Sequence, residues 1–230
     1  MSKTPLFDQY SESYDDDLNS ALAVTREDKE HFAQGRIAWL CRCLREMGLQ
    51  PQRAMDYGCG IGSTVPLLLE SLGLREIVAV DVSSRSLATA REKHNSASVR
   101  YATTAQYQPQ GMLDLAYCNG VFHHIPKLGR PEALEYVRES LKSGGLFAFW
   151  ENNPWSLATR YVMSRCTFDK DAQTLSMLEA KSLLRKSGFV IVRYDFLFIF
   201  PKFLKALRPV EPLFCKLALG AQFQILARKS

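Results

Sequence analysis

The run Asp56-Tyr57-Gly58-Cys59-Gly60-Ile61-Gly62 constrains this chain more than any other segment. A strand-like stretch, Arg53 to Tyr57, leads into it and the apolar TVPLLLESL leads out, so the glycines fall where a strand passes into a helix. Glycine at such a turn leaves the backbone bare enough for a ligand to approach at van der Waals distance. A second strand-like stretch, roughly Glu76 to Val82, carries Asp81 at its end. In a parallel α/β sheet that end lies beside the first loop, where a carboxylate accepts both hydroxyls of a ribose. The ligand implied is a nucleoside with a further group attached.

The glycine spacing narrows the choice. Dinucleotide sites use G-x-G-x-x-G, with the third glycine on the helix under the pyrophosphate; here the third comes one residue early and Asp56 precedes the run. A carboxylate in the loop repels a pyrophosphate and attracts an ammonium. DYGCGIG resembles the first motif, [D/E]-x-G-x-G-x-G, of the class I S-adenosylmethionine-dependent methyltransferases. The resemblance implies S-adenosyl-L-methionine as cofactor and a doubly wound, Rossmann-like, seven-stranded mixed sheet with helices on both faces and an antiparallel last strand. It assigns cofactor contacts to Asp56, Gly58, Cys59, Gly60, Gly62, Asp81 and Val82. A dinucleotide-dependent oxidoreductase and a non-catalytic protein of the same fold are the alternatives.

A chain of 230 residues, 47% of them hydrophobic, can bury the core of one α/β domain. We expect a single domain over 1–230: an N-terminal cover and helix (1–48), a cofactor-binding core (49–152), and acceptor-side loops with the last strands (153–230). No apolar run reaches the ~18 residues of a membrane span. The acidic, polar N-terminus is unlike a signal peptide, so a cytoplasmic protein is expected. The six cysteines form no C-x-x-C pair, which argues against a zinc scaffold. The net charge of +5 comes from 29 basic residues interleaved with 24 acidic ones, a pattern of solvated helix surfaces that disfavours nucleic acid as a partner.

Periodicity places a helix capped by Thr25 followed by Asp28 and running to about Met47, strands at 53–57, 76–82, 98–104, 113–120, 146–152, 189–200 and 222–229, and helices between them. The helix beginning at Pro131 is expected to run to Gly144-Gly145. Alternation of strand and helix indicates a doubly wound sheet.

The resemblance reaches further along the chain. It implies adenine contacts at Thr104 and Ala105, a methionine-end contact at Asn119, and an N-terminal segment, FDQYSESYDDDL, in which Tyr14 nears the methionine carboxylate with Arg36 as its cation. LKSGG replaces the family's L-x-P-G-G, losing some turn rigidity but no contact.

Methyl transfer requires a nucleophile held in line and, for a hydroxyl, a proton acceptor. Val121-Phe122-His123-His124-Ile125-Pro126 follows the fourth strand, so His123 and His124 are candidate bases, with Glu151 after the fifth strand as the third. In relatives that methylate phenols this place holds a metal-binding E-x-x-E-H; Gly120 and His123 stand at its glutamates, so no metal is expected. Asn152 and Asn153 are candidate acceptor-positioning groups, or loop-holding ones.

Residues 200–220, FPKFLKALRPVEPLFCKLALG, exceed what a hairpin needs. At helical spacing, Phe200, Phe203, Leu204 and Leu207 share one face and Lys202, Lys205 and Arg208 another. Such a segment packs on the sheet, closes over an apolar acceptor, or rests on a membrane surface through about residues 200–216. Together with 1–20 and 153–175 it is expected to cover the acceptor pocket. The aromatics Phe7, Tyr10, Tyr14, Trp155, Tyr161, Phe168, Phe200 and Phe203 suggest a ring-bearing, small-molecule or lipid-like acceptor, methylated at oxygen.

Overall fold

The computed structural model of the protein describes residues 27–166, 169 and 171–230. The expectations for Phe7, Tyr10, Tyr14, Thr25 and Phe168, and the cover at 1–20, lie outside them. The elements in chain order are α1 (Lys29–Glu46), β1 (Arg53–Tyr57), α2 (Val65–Leu72), β2 (Glu76–Asp81), α3 (Ser84–Lys93), β3 (Val99–Thr103), β4 (Leu113–Asn119), α4 (Arg130–Ser140), β5 (Leu141–Asn152), α5 (Leu157–Arg165), α6 (Met177–Lys186), β6 (Phe189–Leu197) and β7 (Gln222–Lys229). The sheet order is β3-β2-β1-β4-β5-β7-β6. Strands β1 to β5 run parallel, and β7 lies antiparallel between β5 and β6.

Period-two alternation sorts the strands onto two cores. Met55, Val78, Val80, Ala116, Cys118, Phe147 and Phe149 face α4 and α6, while Ala54, Ile77, Ala79, Leu115, Tyr117, Leu146, Ala148 and Trp150 face α1 and α2. Caps set the helix starts: Asp28 accepts from the His31 amide, Ser83 from Ser86, and Ser176 forms a reciprocal pair with Glu179. The strand order reverses between β1 and β4, which opens a crevice beyond their carboxyl ends.

Three elements differ from expectation. Strand β6 ends at Leu197 and not at Phe200, as Phe198 takes a positive φ of 63°. Helix α4 stops at Ser140, because Leu141 pairs with Leu113 and Lys142 bridges to Asp114, drawing the chain into β5 before the glycines. Residues 202–213 are not an α-helix but a 3-10 run. Pro209 and Pro212 withhold two amides, and Leu204 breaks the helical geometry. None of that run is buried, so it is not packed as a core stripe; Phe203 is 78% exposed.

Candidate functional site

The glycine loop is pinned from below. The Gly58 and Cys59 amides donate to the Val80 carbonyl at 2.8 and 3.0 Å, and the Gly60 amide donates to Asp81 Oδ2 at 2.9 Å. Asp81 Oδ1 accepts from the Ser83 amide at 2.8 Å. Asp81 therefore orders the loop, each of its carboxylate oxygens accepting a backbone amide. Gly58 and Gly60 both have positive φ, 76° and 53°, but for different ends. A Cβ on Gly58 would strike Val121 at 2.4 Å, whereas one on Gly60 meets nothing within 4 Å. Gly58 is small for packing; Gly60 keeps the open side bare.

A cleft above this loop is lined by Lys29, Arg36, Asp56, Gly58, Cys59, Gly60 and Asn119, among others. Within it, Asp56 Oδ2 and Asn119 Oδ1 are buried without a hydrogen-bond partner. An orphaned buried carboxylate oxygen is costly unless a ligand completes it. Burial first, then the Asp81 charge, pushes the Asp56 carboxyl up to about 7 against the pull of Arg36. Burial likewise holds the Cys59 thiol well above its ordinary range. Two unsatisfied acceptors beside the Arg36 cation suit a ligand that carries both an ammonium and a carboxylate. Arg36 is no surface cation: it is 7% exposed and donates to Tyr117 Oη at 3.1 Å and Gln222 Oε1 at 3.0 Å. Val82 is 55% exposed beside Asp81. The Thr104 amide is spent on the Asp81 carbonyl at 3.1 Å, which leaves the Thr104 side chain and the exposed Ala105 at that edge.

A second cleft, about 870 Å³ with its open mouth included, adjoins the first and shares Lys29, Arg36 and Asn119 with it. His123, His124, Asn152 and Gly120 form its floor, and Ala158, Thr159, Val162, Met163 and Cys166 one wall. The floor is held by packing. Phe122 is fully buried, its ring 5.0 Å from that of Phe149 and 6.2 Å from that of Tyr57, a burial worth ~2 to 3 kcal/mol that fixes the next residue, His123.

Glu151 completes the hold. Its Oε1 accepts from the Phe122 amide at 2.7 Å, and its Oε2 lies 2.6 Å from His123 Nδ1. Glu151 is 1% exposed; burial opposes its charge, but His123 and the Phe122 and Asn152 amides keep it below the usual carboxylate range. With its oxygens so occupied, Glu151 positions His123 instead of facing the cleft. On the far side Asp169 Oδ1 stands 3.4 Å from both His123 Nε2 and His124 Nε2. Burial works against a charged His123, yet Glu151 and Asp169 outweigh it and push its imidazolium up to about 10. Burial and the neighbouring His123 push His124 down to about 4.

Asp169 was not among the residues the sequence singled out. Its loop is tied to the histidine loop: the Gln173 amide donates to the His123 carbonyl at 2.7 Å, and Arg130 donates to the Phe122, Ile125 and Gln173 carbonyls at 3.0, 3.0 and 2.5 Å. Nothing in CTFDKD announces that tie. Gln222 was missed as well; it reaches the site because β7 pairs it with Asn152. The two asparagines divide. Asn152 lines the cleft, while Asn153 donates to the Ala218 and Gly220 carbonyls and braces the loop.

The aromatic lining is corrected. Trp155, ahead of α5, and Tyr161 on it are about half exposed; α5 turns its 158, 159, 162 and 163 positions inward and its 157 and 161 positions outward. Phe32 is the aromatic on the wall among the described residues, and no residue of 200–220 lines the cleft.

A family model described as a methyltransferase domain matches residues 55–147. Among curated proteins, trans-aconitate 2-methyltransferase from Rhizobium rhizogenes is 31% identical over 96 residues, 42% of this chain and 37% of that protein. The one from Rhodopseudomonas palustris is 27% identical over 149 residues, 64% of this chain and 56% of that protein. The matched stretch thus spans about half or less of those relatives. Among solved structures, an S-adenosylmethionine-dependent methyltransferase from Mesorhizobium loti superposes with a TM-score of 0.60 at 21% identity, covering 82% of this chain and 96% of that one. Strand order and the glycine loop agree with the family match: residues 55–147 are similar to a methyltransferase domain, and the fold is that of the superposed methyltransferase structure.

Proposed function

We propose that the protein methylates a small molecule, at oxygen, with S-adenosyl-L-methionine as donor. The observation that carries this reading is the meeting of the two clefts at Asn119, Arg36 and Lys29, directly beside the two histidines. When bound, the cofactor supplies an activated methyl group on a sulfonium. Asp56 takes its ammonium, Arg36 its carboxylate and Asp81 the ribose hydroxyls. Glu151 fixes the ring orientation of His123 through Nδ1 and turns Nε2 toward the cleft; because its imidazolium is held up to about 10, His123 takes the acceptor proton only in its deprotonated fraction, so turnover on a hydroxyl should rise with pH toward that value. Val162, Met163 and Phe32 shelter an apolar body from water, while Lys29, Asn152 and Thr159 give it polar anchors.

Isothermal titration with S-adenosylmethionine and with NAD separates this reading from a dinucleotide enzyme. Transfer of labelled methyl groups to a panel of phenols, sugars, polyketides, prenyl-linked compounds and small carboxylic acids identifies the acceptor. The acids belong in the panel because Lys29 and Arg36 stand on the wall and the curated relatives are named for trans-aconitate. An acidic acceptor needs no base, and His123→Ala would then leave turnover unchanged.

Peripheral membrane contact through 200–216 rests on exposed Phe203, Leu207 and Leu213 beside exposed Lys205, Arg208 being spent on Glu27 and the Phe200 carbonyl. Co-sedimentation with anionic vesicles tests it, and no binding at low salt rejects it.

A further inference from the structure

The geometry points to a divalent transition-metal site, of zinc type, formed by His123 Nε2, His124 Nε2 and Asp169 Oδ1 at the floor of the acceptor cleft. These three atoms lie within 4.8 Å of one another. Each nitrogen is 3.4 Å from the carboxylate oxygen. A tetrahedron of ligands around zinc, with bonds of about 2.1 Å, has edges of about 3.4 Å. The same separation is long for a hydrogen bond.

The carboxylate itself is a second, independent pointer. The Asp169 side chain is 6% exposed, and Oδ1 accepts no hydrogen bond although it is buried. The cluster also has the outer support that metal-binding imidazoles require. His123 Nδ1 is 2.6 Å from Glu151 Oε2, which orients the ring with Nε2 toward Asp169. Two imidazoles and one carboxylate select a borderline metal over magnesium or calcium, which prefer all-oxygen cages. The expectation of no metal rested on the lack of the E-x-x-E-H glutamates; Asp169 brings a carboxylate from a different loop.

Three protein ligands leave the fourth position to the cleft, as in catalytic zinc sites. That position is where an acceptor oxygen would sit. A hydroxyl held there is acidified by the ion: its O–H bond breaks, the electron pair stays on oxygen, and the proton passes to water. The site deepens the proposed function by giving the acceptor a ligating oxygen. The Glu151 bond to His123 serves in both descriptions, with Nε2 carrying the metal instead of a proton.

The test uses tag-free full-length protein, stripped with a chelator and titrated with Zn²⁺ by calorimetry and with Co²⁺ as an absorbing stand-in. The expected result is one ion per chain with visible Co²⁺ absorption. Asp169→Asn and His124→Gln should weaken binding by about 100-fold or more and Glu151→Gln by about 10- to 100-fold. Folding of each variant is read from an unchanged S-adenosylmethionine titration, since none of the three lines the cofactor cleft. No stoichiometric ion in the wild type, or equal affinity in Asp169→Asn, overturns the site. If the ion fails to bind while the cofactor binds and the chelated enzyme turns over fully, the metal is refuted and the His123 base stands. If the cofactor does not bind, the proposed function itself falls.

Discussion

Asp56 offers the sharpest quantitative test, because one buried carboxyl should govern both stability and cofactor affinity with opposite signs. In the fold it keeps its proton up to about 7, whereas an aspartate in an unfolded chain loses it near about 3.9. Between those values the folded state binds more protons than the unfolded one. The contribution of Asp56 to stability is therefore present at low pH and lost as pH rises to about 7. The full displacement corresponds to about 4 kcal/mol, and an asparagine would recover part of it, since its amide must itself be accommodated. At pH 8, Asp56→Asn should gain about 2 kcal/mol, or about 4–8 °C in Tm. The cofactor should respond the other way. Losing a charge-assisted contact to the ammonium costs about 1.5 to 3 kcal/mol, a fall of about 10- to 150-fold in affinity at pH 8. Calorimetry with S-adenosylmethionine, set beside adenosine, which lacks the amino-acid end, isolates the term. Wild-type affinity should rise from pH 6 as Asp56 ionises and decline beyond about pH 8 as the amine loses its proton; the variant lacks the rise. Undiminished affinity in Asp56→Asn at pH 8, or an equal loss for adenosine, would refute the assignment.

The remaining expectations concern the loop and the proton. Gly60→Ala should fold at a cost of about 1 to 2 kcal/mol for its left-handed backbone, yet lose cofactor binding, because its Cβ would project into the open side of the cleft; thermal melts and titration read the two effects apart. Gly58→Ala should instead lower Tm more steeply, since its Cβ overlaps Val121 at 2.4 Å. Asp81→Ala should weaken the cofactor by about 1.5 to 3 kcal/mol and also loosen the Gly60 and Ser83 amides. His123→Ala should lower turnover on a hydroxyl acceptor by about 10²- to 10⁴-fold with cofactor affinity kept; single-turnover transfer of labelled methyl measures it, and an unchanged rate passes the work elsewhere.

What was legible in the sequence and what was not divides along the range of the interactions. Strand limits such as Arg53–Tyr57 and Gln222–Lys229 follow from their apolar patterning, and the cap at Ser83 from a local side-chain-to-backbone bond. The glycine loop was legible because its demand is local too: a tight turn needs glycine whatever surrounds it. The insertion at 200–220 misled because spacing alone records a face without its cost, and two prolines turned an α-helical stripe into an exposed 3-10 run. The acceptor floor was only half readable. His123, His124 and Glu151 lie at the ends of adjacent parallel strands, so the fold itself brings them together. Asp169 arrives by a loop whose path is set by Arg130 reaching three carbonyls and by the Gln173 amide meeting His123. Such side-chain-to-backbone ties leave no periodic trace, and an arginine at a helix start reads as a solvated cation until it is found 5% exposed. The carboxylate that decides between a free base and a metal-held acceptor is therefore the one placed by Arg130. Arg130→Met removes no ligand but frees the Phe122 and Ile125 carbonyls flanking the histidines as well as the Gln173 carbonyl on the Asp169 loop; it should weaken Zn²⁺ binding if the ion is held as described, and adding Asp169→Asn to it should then cost little more, whereas unchanged Zn²⁺ affinity in Arg130→Met would refute the idea that these ties build the site.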